Sequence, residues 1–164
     1  MNPSIDDRLA SIIRSLTDII LPALPREAGL AQEQTHLAIG HLKIIRAQLD
    51  SAPAYEIEEL VDARALAVAL ISKGAGGRAT TAAMSVLSAA LEQDSGDEHP
   101  RQTRIRINRA TDELIRQLSD DGTPEFRVFA ADTIVRLQSE RALKDRKWFS
   151  LMGFDSDILK NGGQ

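Results

Sequence analysis

Residues 55–73 read YEIEELVDARALAVALISK, and the spacing of their apolar side chains decides the fold class. Ile57, Leu60, Val61, Val68 and Ile71 recur at three, four and seven, the period of a helix face. From Ala65 to Ile71 no face carries a polar residue. A helix apolar all round is normally covered on several sides, so this segment is expected to be the central helix of its fold. Leu66 and Leu70 define a second apolar face beside the first.

Downstream, Gly74-Ala75-Gly76-Gly77 breaks this helix and an alanine-rich one follows, aligning Thr80, Ala83, Met84, Leu87, Ala90 and Leu91. Its small side chains permit close helix contact. Residues 94–100, DSGDEHP, form a polar connection and a possible subdomain break. The next helix, from about Arg101 to Leu118, turns Ile107, Ala110, Leu114 and Leu118 inward. Thr123-Pro124-Glu125 then supplies an N-cap, a first-turn proline and an early acid. The helix it opens aligns Phe126, Phe129, Ala130, Thr133, Ile134 and Leu137. Glu140, Arg141 and Lys144 continue that stripe, where the helix is expected to leave the core.

Upstream, a helix beginning near Ser4, with Asp7 as capping-box partner, places Ile5, Leu9, Ile12, Ile13, Leu16, Ile19 and Ile20 on one stripe. Pro22 and Pro25 are expected to end or kink it, since each lacks an amide proton and disfavours helical geometry just before it. A second helix, from about Gly29 to Asp50, is expected to turn Leu30, Leu37, Ala38, Ile44 and Ile45 inward. No alternating strand pattern occurs. The reading is all-α: an up-and-down bundle of about six helices in a single domain over residues 1–164, with an aromatic C-terminal extension.

Composition narrows the function. The 164 residues include no cysteine, which removes disulfides and thiolate chemistry and favours a reducing compartment, so the cytoplasm is expected. A net charge of −4, spread over both halves, argues against a nucleic-acid partner. No apolar run approaches the ~20 residues of a membrane span. Arg101, Arg109 and Arg116 lie opposite the core of their helix, with Asp112 placed to pair with Arg116, and read as a solvated face.

Gln34, His41 and Gln48, spaced by seven within the apolar stripe of the second helix, form a polar seam that would specify register or oligomer state. Glu33 and His36 make one Glu-x-x-His, a spacing that resembles ferritin-like di-iron proteins. The second such pair and the two further helix glutamates of that pattern are missing, so no metal and no cofactor is expected. The glycines before Arg78, Thr80 and Thr81 open a helix whose free amides could receive an anion. They lack the P-loop consensus and a preceding strand, and a helix end followed by a turn is the plainer reading. Arg64 sits on an apolar stripe and is expected to pair with a carboxylate such as Glu33 or Asp18, to snorkel to the edge, or to hold a ligand carboxylate. Trp148, Phe149, Leu151, Met152 and Phe154 concentrate aromatic and apolar residues near the C-terminus, as an interface would.

No catalytic residue emerges from these patterns. The leading expectation is a non-enzymatic module that forms a homodimer or binds a protein partner. The alternative is an anionic-ligand binder or enzyme with an inter-helix pocket using His41, Arg64, Arg78 and Thr80.

Overall fold

The computed structural model describes residues 2–93 and 98–149. It is an all-α helical bundle, and the only β feature among the described residues is an isolated bridge between Gly76 and Gly122. The helices are α1 (Ile5–Arg14, continued by Ser15–Ile20 and Leu21–Ala23), α2 (Gly29–Gln48), α3 (Ala52–Lys73), α4 (Arg78–Glu92), α5 (Pro100–Asp121) and α6 (Pro124–Trp148). They fall into two compact units. One comprises the described residues of Met1–Ala52 and Arg146–Gln164, the other Pro53–Asp145.

In the first unit α1 and α2 form an antiparallel hairpin. Ser4 caps α1 as expected, its hydroxyl accepting from the Asp7 amide while Asp7 accepts from the Ser4 amide at 3.0 Å. Pro22 does not stop the helix. Residues Ser15–Ile20 widen into a π-helical segment, and the Leu21 amide reaches back five residues to the Leu16 carbonyl. This wider turn leads the run through Pro22 to Ala23. Asp6 near the start of α1 and Arg46 near the end of α2 close the open end of the hairpin through two hydrogen bonds of 2.6 and 2.9 Å.

The second unit is an up-down-up-down bundle of α3 to α6. Its core is Leu66 and Leu70 of α3, Ala83 and Leu87 of α4, Ile107, Leu114 and Leu118 of α5, and Phe126 and Ala130 of α6. Burying a Leu, Ile or Phe side chain stabilises by roughly 1.5–3 kcal/mol, so this cluster is the main source of the unit's cohesion. The closest helix pair is α4 with α5, where Ala83, Ala90 and Ala110 allow backbones to approach. Thr123 caps α6 by accepting from the Phe126 amide at 3.2 Å, as the Thr-Pro-Glu sequence implies.

Three expectations change. On α3 the core face is the Leu66 and Leu70 side, while Ile57, Val61 and Val68 are exposed, so α3 is not buried all round. On α2 only Ile39 is buried, whereas Leu30, Leu37 and Ile45 are 73, 48 and 50% exposed. Periodicity groups residues on a face but does not say which of two faces turns inward. Finally, Arg116 pairs with Glu113 at 2.8 Å and meets only the backbone carbonyl of Asp112.

Candidate functional site

Three places in the fold gather chemistry. The first is the N-terminus of α4, where free amides and hydroxyls suggested an anion. The anion is there, and it belongs to the chain: the Asp121 carboxylate accepts from the Ala79 amide at 2.7 Å, the Thr80 amide at 2.8 Å and the Thr80 hydroxyl at 2.6 Å. The hydroxyl and amide of Thr80 hold the Asp121 carboxyl below the usual carboxylate range, against a smaller opposing effect of burial. The Gly77 amide donates to the Asp121 carbonyl at 2.8 Å and the Thr123 amide to the Ala75 carbonyl at 3.1 Å, tying the two turns together. A side chain at Gly77 would collide with the Asp121 carboxylate, which accounts for glycine at that position. Thr80 is buried in this clasp, and Arg78 is exposed beside it.

The second place is a cavity of about 230 Å³ bordered by Glu59, Asp62, Leu66, Arg104, Asn108 and Arg141. Here the stripe of α6 does not leave its neighbours. Arg141, its side chain 12% exposed, lies 4.6 Å from the Tyr55 ring centroid and donates to Asp145 at 2.7 Å and to Asp62 at 3.2 Å. Lys144 adds a 2.8 Å bond to Asp62, Arg104 pairs with Glu59, and the Tyr55 hydroxyl donates to Asp145. Burial, then the bond to Asp145, pushes the Tyr55 hydroxyl up to about 12. Burial raises the Asp145 carboxyl, but the bonds from Tyr55 and Arg141 outweigh it and leave a lowered value. Positive and negative groups answer one another across this cavity and hold α3, α5 and α6 in register, although the buried Nε of Arg104 has no hydrogen-bond partner among the described residues.

The third place is the outer face of α2. Leu30, Gln34, Leu37, Ala38, His41 and Ile45 are all exposed, on the side of the helix opposite Gln32, Thr35, Ile39 and Leu42. Ile44 and Gln48 extend the face, half-buried, and the Gln48 amide donates to the Trp148 carbonyl at 3.0 Å. The seam residues therefore share one face as expected, but Gln34 and His41 meet solvent instead of a bundle interior. Trp148 is half-buried at the end of this face and Phe149 is exposed, while Leu151, Met152 and Phe154 lie outside the described residues.

The ligand candidates are dispersed. His41 is exposed on α2; Arg64 is half-buried on α3 between the exposed Val61 and Val68; Arg78 and Thr80 stand at the clasp. None of them lines the cavity at Arg141, nor the open groove of about 720 Å³ that Val86, Ile105 and Arg109 border between α4 and α5. His36 places Nδ1 2.9 Å from the Gln32 carbonyl, and among the described residues no three His, Asp or Glu side chains converge as a metal site would. Sequence reading missed Asp121 and Tyr55, whose partners stand 41 and 90 residues away. The one local hint was a helix N-terminus without a capping side chain of its own at Gly77.

Comparison with protein-family models, curated proteins and solved structures finds no match for this chain. Among the described residues no helix is long and apolar enough to cross a membrane.

Proposed function

We propose that this chain is a non-enzymatic helical module that works by self-association through its α1–α2 hairpin. The observation that carries the reading is the near absence of a core in that hairpin: Ile39 is the one buried residue among the described residues of α1 and α2. The other apolar contacts of the hairpin, such as Leu9, Ile13, Leu16 and Leu42, are half-buried. Helices in proteins draw most of their stability from packing an apolar face, so the exposed faces of this hairpin call for a cover. Those faces are substantial. Ile5, Ile12 and Ile19 of α1, spaced by seven, are exposed, as is the outer face of α2.

Light scattering on the whole chain tests this. The expected mass is about twice the 17.9 kDa of one chain, and Leu37→Glu, which places a charge in the face, is expected to return it to a monomer. A wild-type mass of one chain over the micromolar range would refute the reading.

A further inference from the structure

Resting on that reading, we infer that two copies pair through α2 in antiparallel fashion about a two-fold axis passing beside His41. A two-fold axis brings like surfaces together, so a face that pairs with itself must tolerate its own charge and match its own donors and acceptors. The outer face of α2 meets the first demand: Leu30, Gln34, Leu37, Ala38, His41, Ile44, Ile45 and Gln48 include no Asp, Glu, Lys or Arg in a chain that is 27% charged.

The second demand is met by position. Gln34 and Gln48 each stand seven residues from His41, Leu37 and Ile45 each stand four away, and Ala38 and Ile44 each stand three away. Antiparallel pairing centred on His41 therefore sets Gln34 opposite Gln48 of the partner subunit, Leu37 opposite the partner's Ile45, and Ala38 opposite the partner's Ile44. Glutamine amides carry both donors and acceptors, so Gln34 and Gln48 satisfy one another across the axis. A small residue against a large one at 38 and 44 lets the helices interlock. A parallel arrangement would also pair glutamine with glutamine, but it would set Ala38 against Ala38 and Ile44 against Ile44 and lose this interlock. The Gln48 amide also holds the Trp148 carbonyl, which places Trp148 at the rim of the same interface, beside the partner's Gln34. A second copy running the other way matches these residue types as they stand, glutamine to glutamine and apolar to apolar.

The natural absence of cysteine makes the test direct. His41→Cys puts one thiol on the axis, where two copies approach within the span a disulfide accepts. Leu30→Cys is also exposed but stands ~33 Å from its equivalent in the proposed pairing. Under mild oxidation His41→Cys is expected to form covalent dimer on the order of tenfold faster than Leu30→Cys, and the Leu37→Cys, Ile45→Cys double variant faster than either of its single variants. A chain of dimer mass in which Leu30→Cys links as fast as His41→Cys overturns the antiparallel register while leaving self-association standing. A monomeric mass for the unsubstituted chain overturns both. A full chain that is monomeric but dimerises once residues 150–164 are removed names its own C-terminal segment as the occupant of this face, and overturns the proposal as well.

Discussion

Helices α2 and α5 differ in length by two residues, 20 against 22, and α5 is the more polar of the two. Yet α5 buries Thr103, Ile107, Ala110, Thr111, Leu114 and Leu118, whereas α2 buries Ile39 alone. Apolar content does not decide burial. What decides it is whether neighbours surround the apolar stripe: α5 is enclosed by α3, α4 and α6, while α2 has α1 on one side and its most regular apolar stripe on the other. The four-helix unit holds itself together, and the hairpin displays the material with which it would be held.

The contrast breaks most readily in the core. Leu114→Ala removes a fully buried side chain at the centre of the four-helix unit and is expected to cost about 3 kcal/mol, read as a fall in thermal midpoint on the order of 10 °C by circular dichroism. Next comes the ionic cluster. Arg141→Met leaves Asp62 and Asp145 without their shared guanidinium and is expected to cost about 2 kcal/mol in urea unfolding, reduced from the value of a fully buried pair because water reaches part of the site.

The clasp gives a smaller effect with a definite sign in pH. Because the folded Asp121 carboxyl sits below its ordinary value, it favours the folded state above the usual carboxylate range, and that contribution fades as pH falls through the lowered value. The melting temperature of Asp121→Asn should therefore lie several degrees under the parent near neutrality and converge on it in strong acid. A constant gap across the range would contradict this account. Smallest of all, Leu37→Ala should change the melting temperature of the four-helix unit by no more than a degree or two while weakening the apparent mass. Equal effects of Leu37→Ala and Leu114→Ala on melting would erase the distinction between the two regions.

Much of the architecture was legible because each helix carries its own period and several carry their own punctuation. The glycine break after Lys73, the Thr123 cap and the Ser4–Asp7 box all stand where local chemistry puts them. Orientation was less legible. On both α2 and α3 much of the most regular stripe turned out to face water, although Leu60 and Ile71 of α3 pack against the core, since a sequence states which side chains share a face and leaves the choice of inner face to the neighbours. The candidate site suffered for a related reason. Thr80 looked like a ligand hydroxyl because its real partner, Asp121, lies 41 residues away, and no local pattern links the two.

The clasp between the turn at residues 74–77 and the turn at 121–123 also bears on how the four-helix unit breathes. Both turns sit at one pole, and the bond from Gly77 to Asp121 and that from Thr123 to Ala75 rivet the α3–α4 pair to the α5–α6 pair there. The opposite pole is held by side chains, the Tyr55–Arg141–Asp145 cluster and the Arg104–Glu59 pair, with no backbone rivet of this kind among the described residues. Thermal opening should thus run as a splaying from the far pole about a fixed pivot, leaving the amides of Gly77 and Thr123 among the slowest turn protons to exchange.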